Sequence, residues 1–255
     1  ENSCLEGFKE TVDLNVRDSV LIDDYGILNP HYIYFKDSFL IFSSIRGDRE
    51  IQFLNLRDYS TRNYSVIGQG KNEMANYFAV PTADQRCFKF ADNARGRVYG
   101  VDVASLQRDT LTDYRLLYEL PVHENVHFIR FVELKGHVVG TGILQDGRFG
   151  VYDTSTFEYS EQESYPDSPS VNSLDNRYKG ALFSRTLLAA DKKGERMVAA
   201  CFGLLDFYQL SSDGQLRLIH VHHYHYPEFT QDPVGGGAIG ISREDKVGIT
   251  GLVAD

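Results

Sequence analysis

A unit of four short apolar strands recurs along this chain of 255 residues, and it constrains the fold more than any other feature. In each copy one strand ends at a polar turn, and the four turns are marked by Asp58, Asp102, Asp153 and Gln209. These positions are 44, 51 and 56 residues apart. Two apolar runs precede each such strand and a more polar run follows it, which is typical of the blades of a β-propeller.

The polarity of the strands agrees with this arrangement. A single twisted four-stranded sheet cannot cover both of its faces, so neighbouring blades pack against each other and bury the inner strands. Residues 39–45 and 197–202 are accordingly almost entirely apolar, whereas residues 157–166 are polar, as an exposed edge strand should be. A β-sandwich has no reason to repeat four strands in a fixed order. We therefore predict an all-β fold, a β-propeller with four-stranded blades.

Charge and cysteine content exclude some partners and sites. The net charge of −10 argues against a basic surface for nucleic-acid phosphates or anionic lipid. Cys4, Cys87 and Cys201 fit no zinc-binding spacing, and a disulfide between two of them stays an open alternative. No apolar run is long enough to span a membrane, and the first residues lack the pattern of a signal peptide.

A histidine-rich stretch, residues 220–229, is the most conspicuous local motif. On a strand, His220 and His222 share one face, while His223 and His225 share the other. A metal site needs a third and usually a fourth ligand, and no carboxylate precedes Glu228 on this strand. We predict the exposed outer strand of the fourth blade here rather than a metal site. We assign no catalytic residue, no metal ligand and no cofactor.

Two glycine-rich segments resemble ligand loops only superficially. Residues 67–73 contain Gly68, Gly70 and Lys71 but lack the ending and the helix of a phosphate loop. Residues 234–242 do not open a helix after a strand. Both segments are predicted to connect neighbouring blades.

The links from each outer strand to the next inner strand are the natural place for a ligand. They are long and polar, and they emerge at one end of a propeller, around the mouth of its central channel. Seven of their residues are candidates for contact with a ligand: Glu73, His123, Glu124, Asn125, Asp175, Tyr178 and Lys179. Which of them point inward is not determined by the sequence, so the ligand-binding residues stay unassigned.

Several segments resemble a known family. The turn GQGKNEM (68–74), the strands at 98–106 and 149–157, and the segment 246–255 are similar to those of the TolB-like six-bladed β-propeller proteins of Bacteroidetes. Those proteins are typically cell-envelope lipoproteins of unassigned function. The resemblance implies the fold and a location in the periplasm or at the outer membrane, with a lipid anchor on a segment absent from this sequence. It offers no catalytic residues.

The repeat and the resemblance together suggest how the chain is organised. We predict a single propeller domain over 1–255. Four blades are expected at 31–67, 74–121, 126–166 and 178–227, and a fifth begins at 246–255. A strand in 10–30 is expected to close the last blade. Six blades need roughly 300 residues. The sequence is therefore expected to be an excerpt of a longer protein, or the ring to be open.

Two functions remain after these arguments. The leading hypothesis is a non-enzymatic binding or scaffold module of the bacterial cell envelope that holds a protein, peptide or glycan at the channel mouth. The alternative is an enzyme that uses the central channel, either a metal-dependent hydrolase or a sugar lyase.

Overall fold

The computed structural model describes most of the chain and divides it into two compact units. The described residues are 19, 21–27, 30–44, 51–63, 77–80, 87–92, 94–107, 114–121, 126–224, 228–231 and 239–241. The units are Glu1–Val66 and Ile67–Asp255. No helix in these ranges is long and apolar enough to cross a membrane.

The described part of the first unit forms an antiparallel sheet, sheet 1, with the strand order β1-β2-β3-β4. Its strands are Pro30–Lys36 (β1), Phe39–Ser44 (β2), Ile51–Asn55 (β3) and Thr61–Asn63 (β4). The closing strand predicted within 10–30 stays a prediction, because residues 10–18 lie outside the described ranges, and the later part of that segment contains a 3-10 helix at Ile22–Tyr25. The helix ends because Gly26 adopts a left-handed conformation, φ 72°, and its amide donates to the carbonyl of Asp23.

The second unit contains three further four-stranded antiparallel sheets. Sheet 2 consists of Tyr77–Val80 (β5), Cys87–Asp92 (β6), Arg97–Asp102 (β7) and Arg115–Glu119 (β8), with a short helix at Val103–Gln107 (α1). Sheet 3 consists of His127–Leu134 (β9), His137–Ile143 (β10), Phe149–Asp153 (β11) and Tyr159–Gln162 (β12). Sheet 4 consists of Leu187–Ala190 (β13), Arg196–Cys201 (β14), Leu204–Leu210 (β15) and Leu216–His223 (β16).

The described part of the second unit also contains two helices and a small sheet. The helices Pro169–Asn172 (α2) and Asn176–Phe183 (α3) lie between sheets 3 and 4 in the chain. The segment that contains them, residues 163–186, is called the insert below. Phe229–Gln231 (β17) pairs with Ile239–Ile241 (β18). The predicted fifth-blade strand at 246–255 lies outside the described ranges.

The fold class is thus all-β, with four-stranded antiparallel sheets of the β-propeller type, as the repeat predicts. The predicted polarity is also confirmed. Five of six residues of β14 are buried, whereas seven of eight residues of the edge strand β16 are exposed or half-buried. Four four-stranded sheets lie in the described part of the chain. A total of six blades stays a prediction.

Apolar side chains fill the spaces between the sheets of the second unit. Phe149 and Val151 of sheet 3 pack with Ala199 and Tyr208 of sheet 4 in one buried cluster. A second cluster joins sheets 2 and 3 around Phe128. Close approach requires glycine at two positions there, because a Cβ at Gly140 or Gly150 would lie 2.6 Å from the Phe128 ring.

Two details of the repeat differ from the sequence prediction. In sheet 1 the residue comparable with Asp102 and Asp153 is Asn55, where β3 ends, and not Asp58. The side-chain oxygens of Asn55, Asp102 and Asp153 each accept a bond from the amide two residues later. In the predicted blade span 178–227, residues 178–183 are helix, and the first strand of sheet 4 begins only at Leu187.

Candidate functional site

Three of the seven predicted ligand-contact residues lie on the insert, and the structure brings them together on α3. Asp175, the N-cap residue of α3, is exposed, and its side chain makes no capping hydrogen bond. Tyr178 is half-buried against an apolar cluster, and Lys179 places its Nζ 6.0 Å from the centre of the Tyr165 ring. The other four candidates, Glu73, His123, Glu124 and Asn125, lie outside the described residues.

Local sequence explains why the insert folds as it does. The hydroxyl oxygen of Ser168 accepts a hydrogen bond from the amide of Val171 at 3.3 Å, and Pro169 occupies the first turn of α2. Val171, Leu174 and Phe183 turn inward and pack with Leu204 of sheet 4. The apolar residues of this polar segment thus attach it to the end of sheet 4.

A buried arginine lies beneath the insert. The Arg148 side chain is 0% exposed, and its Nη1 lies 2.6 Å from Oδ2 of Asp206. The same nitrogen is within hydrogen-bond distance of the Ser164 carbonyl (3.2 Å) and the Tyr208 hydroxyl (3.3 Å). Arg148 therefore connects sheet 3, the first residues of the insert and sheet 4.

Aromatic rings surround the rest of this guanidinium group. Its central carbon lies 5.0 Å from the ring centres of both Phe149 and Phe183. The Nε and Nη2 atoms of Arg148 are buried and have no hydrogen-bond acceptor among the described residues. Cation–π attraction to the two rings is therefore the main compensation for that side of the charge.

His223 completes the network from the edge strand. Its Nε2 lies 2.7 Å from Oδ1 of Asp206, and its side chain is only 8% exposed. His220 and His222 are exposed, as predicted for the outer strand. The prediction that the whole histidine stretch is a water-exposed edge is therefore wrong for His223. Because side chains alternate along a strand, His223 lies on the same face of sheet 4 as Asp206, and this face is turned toward the protein interior.

The electrostatic reason for this network is the burial of Asp206, which is 2% exposed. An isolated buried carboxylate is costly, so it needs opposite charge and hydrogen-bond donors. Arg148 supplies the charge on one oxygen, and His223 contacts the other. Asp206 is the one charged residue in the largely apolar strand LLDFYQL, and this was the sequence signal for a buried partner.

The ionisable neighbours of the network are neutral at ordinary pH. Burial raises the pKa of the Cys201 thiol to about 11, although nearby Arg148 acts in the opposite direction. Burial likewise raises the pKa of the Tyr208 hydroxyl to about 12, again against the effect of Arg148. Neither group is an ionised nucleophile near neutral pH.

The described residues contain no group of three or more His, Cys, Asp or Glu side chains placed to hold a metal ion. His225, the last of the four clustered histidines, lies outside the described ranges. The expectation for the complete histidine stretch stays a prediction. Cys87 and Cys201 are not disulfide-bonded to each other, and Cys4 also lies outside the described ranges.

Comparison with known proteins gives similarity of structure only. No protein-family model matches the chain, and no curated protein matches it by sequence. A Bacteroides fragilis protein described as exported is 16% identical, with 81% of this chain and 53% of that one covered and a TM-score of 0.46. This chain thus spans about half the length of that protein.

Two further solved structures are similar at the same level. An auxiliary nutrient binding protein from Bacteroides thetaiotaomicron is 10% identical, with 86% of this chain and 51% of that one covered and a TM-score of 0.46. TolB from Acinetobacter baumannii is 15% identical, with 71% and 40% covered and a TM-score of 0.40. At such identities these similarities say nothing about ligand or activity.

Proposed function

We propose that this chain is a non-enzymatic binding or scaffold module of the bacterial cell envelope, with its ligand or partner held at the channel mouth on the side of the insert. The observation that carries the proposal is the network of Arg148, Asp206 and His223. Its buried charges are paired with one another and fasten the insert, so they act as structural support beneath a loop.

The insert has the composition of a recognition surface. Tyr178 and Lys179 are half-buried, and Asp175 is exposed beside them. An aromatic ring with adjacent charges of both signs suits a peptide or a glycan, since the ring supplies contact area and the charges supply orientation. The fixed attachment of the insert lowers the conformational entropy that binding would cost.

The enzyme alternative would have to use the Asp206–His223 pair. A carboxylate that orients a histidine is one part of a general-base arrangement. Both side chains are buried, however, and the thiol of Cys201 nearby is protonated because burial raises its pKa to about 11. The pair is better suited to holding β16 against β15 than to activating a substrate. The envelope location rests on the resemblance of the strand and turn motifs.

The test is a binding screen on a glycan array and a peptide array. We expect at least one class of compound to bind, and Asp175→Ala or Lys179→Ala to weaken binding of the hits by about fivefold, or about 1 kcal/mol. Lys193→Ala, in the exposed turn between β13 and β14, is the matched control and should leave binding unchanged. Absence of any hit, or hits that are equally strong in the Lys179→Ala and Lys193→Ala variants, would contradict the proposal.

A further inference from the structure

The outer strand of sheet 4 differs from the outer strands of the other three described sheets. Strands β4, β8 and β12 have three to five residues, and each carries a side chain that is ionised at neutral pH. Strand β16 has eight residues, and from Leu218 onward histidine is its only ionisable residue type. Short length and charged side chains protect a sheet edge from pairing with another chain. The edge at β16 is therefore the least protected of the four.

This edge also exposes apolar side chains. Leu218, Ile219 and Val221 of β16 are 55%, 48% and 44% exposed, and Tyr224, directly after the strand, is 50% exposed. Among the other described outer strands, β8 alone has a large apolar residue of this kind, Leu116. An exposed apolar edge favours the addition of a further strand.

The backbone of β16 determines which residues can pair with such a strand. The amide of Tyr224 donates to the Gly203 carbonyl at 2.8 Å, so it points toward β15. The irregularity of the β15–β16 pairing precedes His220, and the residues after it alternate regularly. The backbone groups of His220 and His222 therefore also point toward β15, and those of Val221 point away from it. Val221 presents its N–H and C=O groups to the outside of the sheet.

The sequence around Val221 is symmetric, His-Val-His. When a second copy of β16 is added antiparallel with Val221 opposite Val221, His220 of each copy lies opposite His222 of the other. These are non-hydrogen-bonded pairs, in which the Cα atoms are about 4.5 Å apart and the side chains are close. At either end of the pairing, the exposed Leu218 comes close to the exposed Tyr224 of the other copy.

The charges around these two histidines make the pairing sensitive to pH. They lie on the face of sheet 4 that also holds Leu205, Phe207 and Gln209 of β15. The charged residues on this face are both basic, Arg217 of β16 and Arg196 of β14, whereas Asp206 and His223 lie on the other face. Neutral imidazoles bring no like charges together, but protonated ones place four positive charges on one face of the paired strands.

We propose that β16 pairs antiparallel with β16 of a second copy of this chain, about a twofold axis at Val221, and that His220 and His222 of both copies weaken this dimer as the pH falls. A pairing of about seven residues on each copy buries less than the roughly 1,200 Å² of a standard interface. The dimer is therefore weak, with an expected Kd of about 10–100 µM. The pairing lies outside the insert and does not depend on the function proposed for it.

The test is sedimentation velocity of the purified chain at about 5–500 µM, in buffers that contain EDTA, at pH 8 and pH 6. We expect a reversible monomer–dimer equilibrium at pH 8 that is about tenfold weaker at pH 6. The net charge of −10 makes this direction informative. Acidification reduces the net negative charge, so association limited only by general repulsion would become stronger instead.

Two double variants test the register. His220→Lys with His222→Lys places like charges opposite each other across the twofold axis, and this variant should be monomeric at pH 8. His220→Glu with His222→Lys places opposite charges there, and this variant should dimerise with a similar Kd at pH 8 and pH 6. The control is Leu116→Lys on the exposed outer strand β8, which should dimerise like the parent. Urea denaturation verifies that each variant is folded.

Three results would overturn the proposal. The first is a parent chain that is monomeric at every concentration at pH 8. The second is a dimer that becomes stronger on acidification. The third is equal association by the two double variants, or a dimer that Leu116→Lys disrupts as strongly as the double lysine variant, because the contact would then lie elsewhere on the molecule.

Discussion

Replacing Arg148 by methionine should lower the free energy of unfolding by about 3–5 kcal/mol, the usual cost of removing one partner of a buried ion pair. Methionine retains most of the apolar volume between Phe149 and Phe183 but takes the positive charge from Asp206, which is 2% exposed. His223 remains 2.7 Å from the other carboxylate oxygen and would partly compensate. We therefore expect a loss near the lower limit, about 3 kcal/mol.

Urea denaturation measures this loss, with a double-mutant cycle to separate the pair from the packing. Asp206→Leu removes the carboxylate alone, and the double variant Arg148→Met with Asp206→Leu removes both charges. The double variant should lose less stability than the two single losses added together, by about 1–3 kcal/mol. The control is Arg97→Met at an exposed pair, where Arg97 is 44% and Glu119 61% exposed, and it should cost at most about 1 kcal/mol.

If Arg148→Met costs no more than Arg97→Met, the buried pair does not stabilise the fold as described. If the losses of the two buried variants simply add, the two charges make no mutual contribution. Either result would remove the network as the support of the insert.

Three further outcomes are expected. Gly140→Ala should lower the free energy of unfolding, measured by urea denaturation, by about 1–3 kcal/mol, because the added carbon would lie 2.6 Å from the Phe128 ring. Gly180→Ala in helix α3, where the nearest atom would be 3.9 Å from the added carbon, should raise it by up to about 1 kcal/mol. Equal effects of the two substitutions would contradict the packing around Phe128. Burial raises the pKa of the Cys201 thiol to about 11, so Cys201 should react with iodoacetamide at pH 8 more slowly than the half-buried Cys87. Peptide mass mapping measures both rates of alkylation, and equal rates would contradict the burial of Cys201. Hydrogen bonds from Ser155 lower the pKa of Asp153 from 3.8 to about 2, so the ionised carboxylate stabilises the folded protein above about pH 4 and this stabilisation is lost as the pH falls towards 2. When the stability of the folded protein is measured against pH, the Asp153→Asn variant should lack this acid-dependent loss. Superimposable curves for the variant and the parent would contradict this role of Asp153.

The repeat predicted the fold because strand polarity depends on which sheet position a segment occupies. Strand β14 lies inside its sheet and is buried on both faces, so its residues are apolar. Strand β16 is an edge strand exposed to water, so its residues are more polar. The order of strands within a blade could therefore be predicted from the polarity of successive segments of the sequence. Asp58 was taken as the turn residue comparable with Asp102 and Asp153, where the structure has Asn55, because two turn-forming residues lie within four positions of each other. The helix α3 was missed because its eight residues carry only a weak apolar pattern.

The buried network could not be predicted in the same way. Arg148 lies in a Gln-Asp-Gly-Arg turn, which is typical of an exposed hairpin, yet residues of the insert and of sheet 4 bury it. His223 was assigned to water together with its neighbours, although alternation had already separated it from His220 and His222. The partner of Asp206 comes from the turn before β11, 58 residues earlier, and such a pairing follows from the packing of two sheets and not from local spacing.

The most direct test of the proposed function is the fate of the compounds that the arrays identify. Each hit is incubated with the purified chain, and its mass is followed over many hours by mass spectrometry. A binding module returns every compound unchanged, even where His223 and Asp206 are intact. A product that accumulates in proportion to protein concentration, and that disappears with His223→Gln, would contradict the account and establish an enzyme.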